Sequence, residues 1–193
     1  MKTKMIAVTI LLLIGFTISL SVFAATGIAA LEAVTITLGV AFYHFAMRLA
    51  VGTVVDRIMK NKANHESPWF REKAFEKRLY RLLRVQSWKK HIPTYDPDTF
   101  DAGRKTVAEI VGATCQAEIV HEVIMALSLL PIALIPLLGG AAALIVTSVL
   151  SLLIDSVFVI LQRYNRPKLV RVMERHERRT KGSFPICKNE KEP

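Results

Sequence analysis

The sequence predicts an all-α integral membrane protein with four transmembrane helices, arranged as two hairpins with a cytoplasmic, interfacial helical insert between them. Apolar residues make up 52% of the 193 residues, and most of them lie in four blocks: 5–25, 28–47, 119–138 and 141–161. Each block holds about twenty residues, enough to cross a hydrocarbon core of about 30 Å as a helix. We therefore treat the chain as one membrane domain, 1–193.

The basic residues predict the orientation of these helices. All 26 Lys and Arg residues are Lys2 and Lys4 or lie in the ranges 48–105 and 163–193, whereas the short turns 25–27 and 138–140 contain none. Because cytoplasmic loops carry an excess of Lys and Arg, we expect a multi-pass protein of the cytoplasmic membrane with both termini in the cytoplasm. A net charge of +10 favours membrane lipids as partners, and no nucleic-acid-binding motif accompanies it.

The first block has an alternative interpretation as a cleavable signal peptide, because MKTK is basic and SVFA ends in small residues. Its apolar run exceeds the roughly 7–15 residues of a signal peptide, and a second span follows at once, so a retained helix is favoured. Cys115 and Cys187 both fall on the cytoplasmic side, where no disulfide is expected.

The polar insert, 56–117, begins with a stretch that predicts an interfacial helix. Ser67 is placed as its N-cap and Pro68 as its first residue, with apolar and basic side chains alternating at helical spacing. A soluble helix packed on the insert is the alternative. In the following loop, turn and cap roles are favoured over a metal site for Asp96, Asp98 and Asp101. A basic cytoplasmic tail, 163–193, closes the chain.

Ionisable residues of three predicted spans gather at one depth, the inner membrane boundary. His44 and Arg48 end the second span, Glu118, His121 and Glu122 begin the third, and the fourth carries Asp155 and Arg163. Ionisable groups inside membrane helices usually face the bundle interior, pair with one another and mark function. This convergence predicts a site, with Asp155 facing the bundle and pairing with His44 or Arg48.

The residue types at this site suit general-base chemistry. Glu118, His121 and Glu122 share one helix face, and a carboxylate beside an imidazole holds its tautomer and favours its protonated form. Such an imidazole can activate a hydroxyl group. A salt-bridged cluster without chemistry explains the same residues equally well. Glu118 and His121 also form E-x-x-H, but no second such motif completes a di-iron site, so no metal is predicted.

Two further patterns bear on the chemistry. His91 and Asp96 have the H-x-x-x-x-D spacing of glycerolipid acyltransferases, which ranks second to His121 because it lies between prolines and lacks a preceding Asn. At the end of the fourth span, Arg163, Asn165 and Arg166 are placed to hold a phosphate. The alternative role for these basic residues is a stop signal that fixes topology.

Three segments carry a resemblance to a known family: QRYNRPKL (162–169), AEIVHEV (117–123) and LYRLLRVQSWKK (79–90). They resemble the glycosyl-4,4'-diaponeurosporenoate acyltransferases, which complete staphyloxanthin-type carotenoid synthesis by esterifying a sugar C6'' hydroxyl with a fatty acid. The resemblance covers about 80–169, and FYHFAMRL (42–49) is a weaker match.

The resemblance implies a membrane O-acyltransferase that moves a fatty acyl group to the sugar hydroxyl of a glycolipid or glycosylated carotenoid. No bound cofactor is expected. The co-substrate is an acyl donor, either a coenzyme A thioester, an acyl carrier protein or a phospholipid, and the acceptor is a lipid-linked sugar. A non-enzymatic scaffold that binds anionic lipid is the alternative function.

We assign roles on this basis. His121 is the expected base, Glu118 or Glu122 orients it, and the substrate-binding residues are Arg163, Asn165, Arg166, His44, Arg48 and Asp155.

Overall fold

The computed structural model describes residues 2–92 and 103–182, and every regular element in these ranges is helical. In chain order the elements are α1 (Lys2–Thr26), α2 (Ala29–Met59), α3 (Glu76–Leu82), α4 (Val85–Trp88), a 3₁₀ turn (Lys89–His91), α5 (Val107–Leu127), α6 (Leu130–Ala133), α7 (Ile135–Leu138) and α8 (Ala141–Gly182).

Four segments are long and apolar enough to cross a membrane: Lys2–Thr26, Ala29–Met59, Val107–Leu138 and Ala141–His176. The predicted fold class, an all-α membrane protein with four transmembrane helices, is therefore confirmed.

The helices pack as two pairs that α2 joins. α1 packs mainly on α2, with a hydrogen bond of 2.7 Å between Ser19 Oγ and Thr35 Oγ1, and α5 packs along α8. α2 also contacts both α5 and α8. A small apolar core of Met47, Val51 and Ile124 fills the α2–α5 contact. The groups that form the candidate site lie along α5, where it meets α2, α8 and the insert.

The start and end of the third segment follow from local chemistry. Thr106 caps α5 in a capping box, in which its hydroxyl accepts from the backbone N–H of Glu109 and the Glu109 carboxylate accepts from the backbone N–H of Thr106. α5 ends at Leu127, and Pro131 and Pro136 are each the second residue of a short helix beyond it. Proline lacks the N–H that a continuous helix needs, so the apolar run divides there.

The hairpin between the third and fourth segments turns at Gly139 and Gly140, which have φ angles of +67° and +58°. Only glycine adopts such angles without a steric penalty. A side chain at Gly140 would also meet Ile36 of α2, so the turn packs closely on the neighbouring pair.

The insert differs from the helix that its sequence predicts. The expected helix starting at Ser67 and Pro68 is wrong, because the chain forms turns up to Phe75 and helix α3 begins only at Glu76. Arg84, with φ of +48°, then separates α3 from α4. Tertiary contacts explain why residues 67–75 form no helix. Carbonyl oxygens of Trp69 and Arg71, which a helix would use internally, accept hydrogen bonds from an arginine of α8.

One close approach in this fold is open to direct test. A side-chain carbon at Gly112 of α5 would overlap the carbonyl oxygen of Asn61. That carbonyl cannot move freely, because Asn61 N–H donates to Gln116 Oε1 at 2.7 Å and Gln116 Nε2 donates to Asp56 Oδ1 at 3.1 Å.

Gly112→Ala is therefore expected to destabilise the protein by about 1–3 kcal/mol, the usual cost of overpacking. Thermal unfolding in detergent micelles, followed by tryptophan fluorescence, measures the effect. Gly52→Ala on α2 is the matched control, since no atom lies within 4 Å of its added carbon. Helix propensity should keep that variant at least as stable as the wild type. Equal midpoints for the two variants would contradict the close approach.

Candidate active site

The centre of the site is a hydrogen bond between two transmembrane helices. His121 Nδ1 of α5 lies 2.8 Å from Asp155 Oδ1 of α8. The Asp155 side chain is 1% exposed, whereas the His121 side chain is 22% exposed. The imidazole also stacks on Phe158, with 4.7 Å between ring centroids and 9° between the ring planes. His121 is thus held on one edge and one face, and its ring remains accessible.

Arg48 of α2 completes this His121–Asp155 pair. Its Nη2 lies 2.5 Å from Asp155 Oδ2 and 2.7 Å from Ser151 Oγ, and Ser151 is in turn 2.6 Å from Ser128 Oγ. Because Asp155 binds a guanidinium through Oδ2, we assign its Oδ1 as the acceptor and His121 Nδ1 as the donor of their hydrogen bond. Nε2 is then left as the basic nitrogen, and no described residue bonds to it. The expectation that Asp155 faces the bundle and pairs with Arg48 is confirmed.

His44, the other predicted partner of Asp155, has a different environment. It is 5% exposed, and neither ring nitrogen has a hydrogen-bond partner among the described residues. Only its carbonyl oxygen takes part in the cluster, accepting from Arg48 Nη1 at 3.1 Å. Of the two expected partners, Asp155 therefore pairs with Arg48 and not with His44, whose ring nitrogens have no hydrogen-bond partner among the described residues.

A second polar cluster surrounds Glu118, one helical turn from His121. The Glu118 side chain is fully buried and binds Arg163 Nη1 at 2.5 Å through one oxygen and Arg166 Nη2 through the other. Arg163 also binds Glu76 of α3, with its Nη2 2.6 Å from Glu76 Oε1. This Glu118 cluster joins α5, α8 and the insert.

The two arginines of the Glu118 cluster have few donors left for a ligand. The five N–H groups of Arg163 meet Glu76 (twice), Glu118 and the carbonyl oxygens of Trp69 and Arg71. Arg166 donates to Glu118, to the hydroxyl and carbonyl of Thr114 and to the Phe70 carbonyl. Their expected role as a phosphate clamp is therefore not supported by this geometry.

The expected partners of His121 also need correction. Glu118 does not orient the imidazole, because the two arginines of α8 occupy both of its oxygens. Glu122 does not orient it either, since Glu122 Oε2 accepts from Trp69 Nε1 at 3.0 Å. Residues three and four apart share a helix face, but the facing helix decides which of them meet a partner. Asp155 takes the role expected of Glu118 or Glu122.

Asn165 lies outside both clusters. Its Oδ1 accepts from Lys89 Nζ at 3.3 Å, which ties α8 to the 3₁₀ turn of the insert. His91 is exposed on the same turn. Its proposed partner Asp96, together with Asp98 and Asp101, lies outside the described residues.

Several residues of the site were missed by sequence reasoning. Glu76 is 3% exposed and links Arg163 to Tyr80, whose hydroxyl donates to Glu76 Oε2 at 2.8 Å. Burial, and then the hydrogen bond to Glu76, raises the pKa of Tyr80 above its ordinary value, so Tyr80 remains a neutral donor. Ser128 and Ser151 were also overlooked. Serines are common in helices, and only an interhelical partner distinguishes these two.

The sequence model of the glycosyl-4,4'-diaponeurosporenoate acyltransferase family matches residues 66–175. This match covers more than half of the chain. The chain belongs to this family. The matched region contains the His121–Asp155 pair and the whole Glu118 cluster, whereas Arg48 precedes it. Membership supports acyltransferase activity in general. Searches of curated proteins and of solved structures gave no match.

Glu118→Gln should strongly destabilise the protein, because it leaves two guanidiniums without their shared carboxylate. Removing one partner of a buried ion pair costs about 3–5 kcal/mol. Thermal unfolding in detergent micelles measures the loss. Lys105→Gln is the control, as it breaks an exposed pair with Glu109 at 3.9 Å, and exposed ion pairs contribute little to stability. Similar midpoints for both variants would show that the buried cluster is not a structural centre.

Proposed function

We propose that this protein is a membrane O-acyltransferase that moves a fatty acyl group to the sugar hydroxyl of a glycolipid or glycosylated carotenoid. The single observation that carries the proposal is the His121–Asp155 hydrogen bond in a chain of an acyltransferase family. A histidine with one nitrogen held by a carboxylate and the other accessible is suited to taking a proton from a hydroxyl group.

In the proposed reaction, His121 Nε2 removes the proton of the sugar hydroxyl as its oxygen attacks the acyl carbonyl carbon. A carbon–oxygen bond forms, and the resulting tetrahedral intermediate collapses with cleavage of the bond to the leaving group of the donor. The proton on His121 then passes to that leaving group, which departs neutral. The imidazole is regenerated, and no oxidant or metal is required.

Asp155 and Arg48 have positioning roles in this proposal. Asp155 keeps the proton of the neutral imidazole on Nδ1 and stabilises the imidazolium that forms during the reaction. Arg48 binds the second carboxylate oxygen at 2.5 Å and so fixes the orientation of the Asp155 side chain. His44 lies beside Arg48, and its two ring nitrogens have no hydrogen-bond partner within residues 2–92 and 103–182, so it is a candidate for binding an acceptor hydroxyl.

In this proposal the Glu118 cluster positions the helices of the site and takes no part in the reaction. It fixes α8 against α5 one turn from His121 and brings the insert to the same place through Glu76. We therefore replace the expected phosphate-binding roles of Arg163 and Arg166 by a role in site assembly. Both lipid substrates would reach His121 from the hydrocarbon region, since the His121 side chain is 22% exposed.

The reaction predicts a marked difference between two histidines. His121→Gln should reduce acyl transfer by about 10²–10⁴, the usual contribution of general-base catalysis. Asp155→Asn should also reduce it strongly, because an amide no longer fixes the tautomer. His91→Gln, on an exposed turn, is the control and should retain activity.

The measurement is mass spectrometry of lipids from cells that produce each variant, with protein level and thermal midpoint as controls for folding. The wild type should yield a product heavier by one acyl group than its precursor. Near-normal product from a folded His121→Gln protein would exclude the mechanism, and absence of any acylated product from the wild type would favour the scaffold alternative.

The proposal also includes the orientation in the cytoplasmic membrane, with both chain termini and the insert in the cytoplasm. Single cysteines at Leu138 or Ala141, exposed residues on either side of the Gly139–Gly140 turn, should then react with membrane-impermeant thiol reagents added outside intact cells, whereas a cysteine at Arg178 should react only after lysis. These variants are made in a Cys115→Ser, Cys187→Ser background. Reversed labelling would place the His121–Asp155 pair toward the opposite membrane face.

A further inference from the structure

A concave, basic groove lies between the insert and the part of α8 beyond Asp155. Its volume is about 770 Å³. Its basic side chains come from three places: Lys77 and Arg81 from α3, Arg84 from the break between α3 and α4, and Lys168 and Arg171 from α8. One acid, Glu72, precedes α3 and also lines the groove. The five basic residues are all exposed. Positive charge from separate parts of the chain therefore converges on one accessible cavity.

The arrangement of these charges is unfavourable without a ligand. Lys77 and Arg81 are four residues apart on α3, and Lys168 and Arg171 are three apart on α8. Like charges at these spacings repel each other. The one acid, Glu72, forms only a long ion pair, with 3.9 Å between its Oε2 and Lys77 Nζ. No described residue forms an ion pair with Arg81, Arg84 or Arg171. A multiply charged anion would relieve this repulsion and satisfy the free guanidiniums.

The groove is joined to the active site through side chains. Tyr164 and Tyr80 line it and meet edge to face, with ring centroids 5.3 Å apart. Tyr80 binds Glu76, and Glu76 binds Arg163 of the Glu118 cluster. Lys168 Nζ lies 3.7 Å from the Tyr164 ring centroid, which holds this cation at the groove.

The separation between the groove and His121 selects among acyl donors. Asp155 and Lys168 are thirteen residues apart on α8, which is about 20 Å along a helix. A phospholipid has its phosphate only a few bonds from its acyl carbonyl, so its phosphate cannot reach the groove while its carbonyl is at His121. Coenzyme A thioesters carry their phosphates at the far end of the long pantetheine arm.

We infer that the groove binds the phosphate groups of a coenzyme A thioester, the acyl donor of the proposed reaction. This inference rests on the proposed function for the identity of the reaction. Five basic residues suit the diphosphate and 3'-phosphate of coenzyme A better than the single phosphate that joins the arm to a carrier protein. The leaving group is then the coenzyme A thiol, which takes the proton from His121.

Binding of coenzyme A to the full chain in phosphatidylcholine nanodiscs tests the inference. Affinity should fall in the order coenzyme A, 3'-dephospho-coenzyme A, 4'-phosphopantetheine, pantetheine. The double variant Arg81→Gln/Arg171→Gln should weaken coenzyme A binding by about tenfold or more. Arg178→Gln/Arg179→Gln, which removes the same charge from α8 outside the groove, should have little effect.

Several results would overturn the inference. Equal affinity for coenzyme A and pantetheine would exclude phosphate recognition, and equal affinity for coenzyme A and 4'-phosphopantetheine would indicate a carrier protein. Equal binding by the two double variants would exclude the groove. If adding phosphatidylglycerol to the nanodiscs abolishes the difference between those variants, lipid headgroups occupy the groove instead.

Failure of this inference is distinguishable from failure of the proposed function. His121→Gln should bind coenzyme A like the wild type, because binding does not require the base. A wild type that binds coenzyme A through the groove but transfers no acyl group would contradict the proposed function alone. Acyl transfer with an unchanged KM for the thioester in Arg81→Gln/Arg171→Gln would contradict the groove alone.

Discussion

The rest of the structure depends on one buried carboxylate, that of Glu118. It is fully buried between two guanidiniums of α8, and one of these also binds Glu76 of the insert. Burying such charges costs several kcal/mol for each ion, so the cluster adds little net stability over apolar packing. Its effect is selective, because any other rotation or sliding of α8 against α5 would leave a charge buried and unpaired. The cluster thereby fixes the arrangement in which His121 meets Asp155.

This dependence accounts for the most distinctive stretch of the sequence, QRYNRP. Arg163 and Arg166 bind Glu118, Tyr164 packs on Tyr80, and Asn165 binds Lys89. Pro167 has no N–H to donate to the carbonyl of Arg163, so the helix is locally loosened where the insert docks. Four of the six residues of the motif, Arg163 to Arg166, therefore hold the insert to α8, and we interpret the motif as a docking segment.

The fold class, and the set of ionisable residues at the inner membrane boundary, could be predicted from the sequence. Both depend on segment length, hydropathy and the cost of charge in lipid, which are local properties. Which of these residues pair with one another could not be predicted from the sequence. Glu118, His121 and Glu122 share a face, and only the rotation of α8 decides that Asp155 meets the imidazole. The insert was misjudged for a related reason. Its helical periodicity is real, but arginines of α8 take the carbonyl oxygens of residues 69–71. Glu76 gave no signal beyond an acid in a basic segment.

The His121–Asp155 pair and its brace are assembled from three different helices: Arg48 comes from α2, His121 from α5 and Asp155 from α8. No single helix holds the imidazole in position, so the orientation of the His121 ring depends on the mutual alignment of all three helices. Helices in a bilayer change their tilt when the hydrocarbon thickness changes. The geometry of this site consequently depends on the thickness of the bilayer. Under the proposed mechanism, membrane composition would therefore change the rate of acyl transfer by changing this alignment.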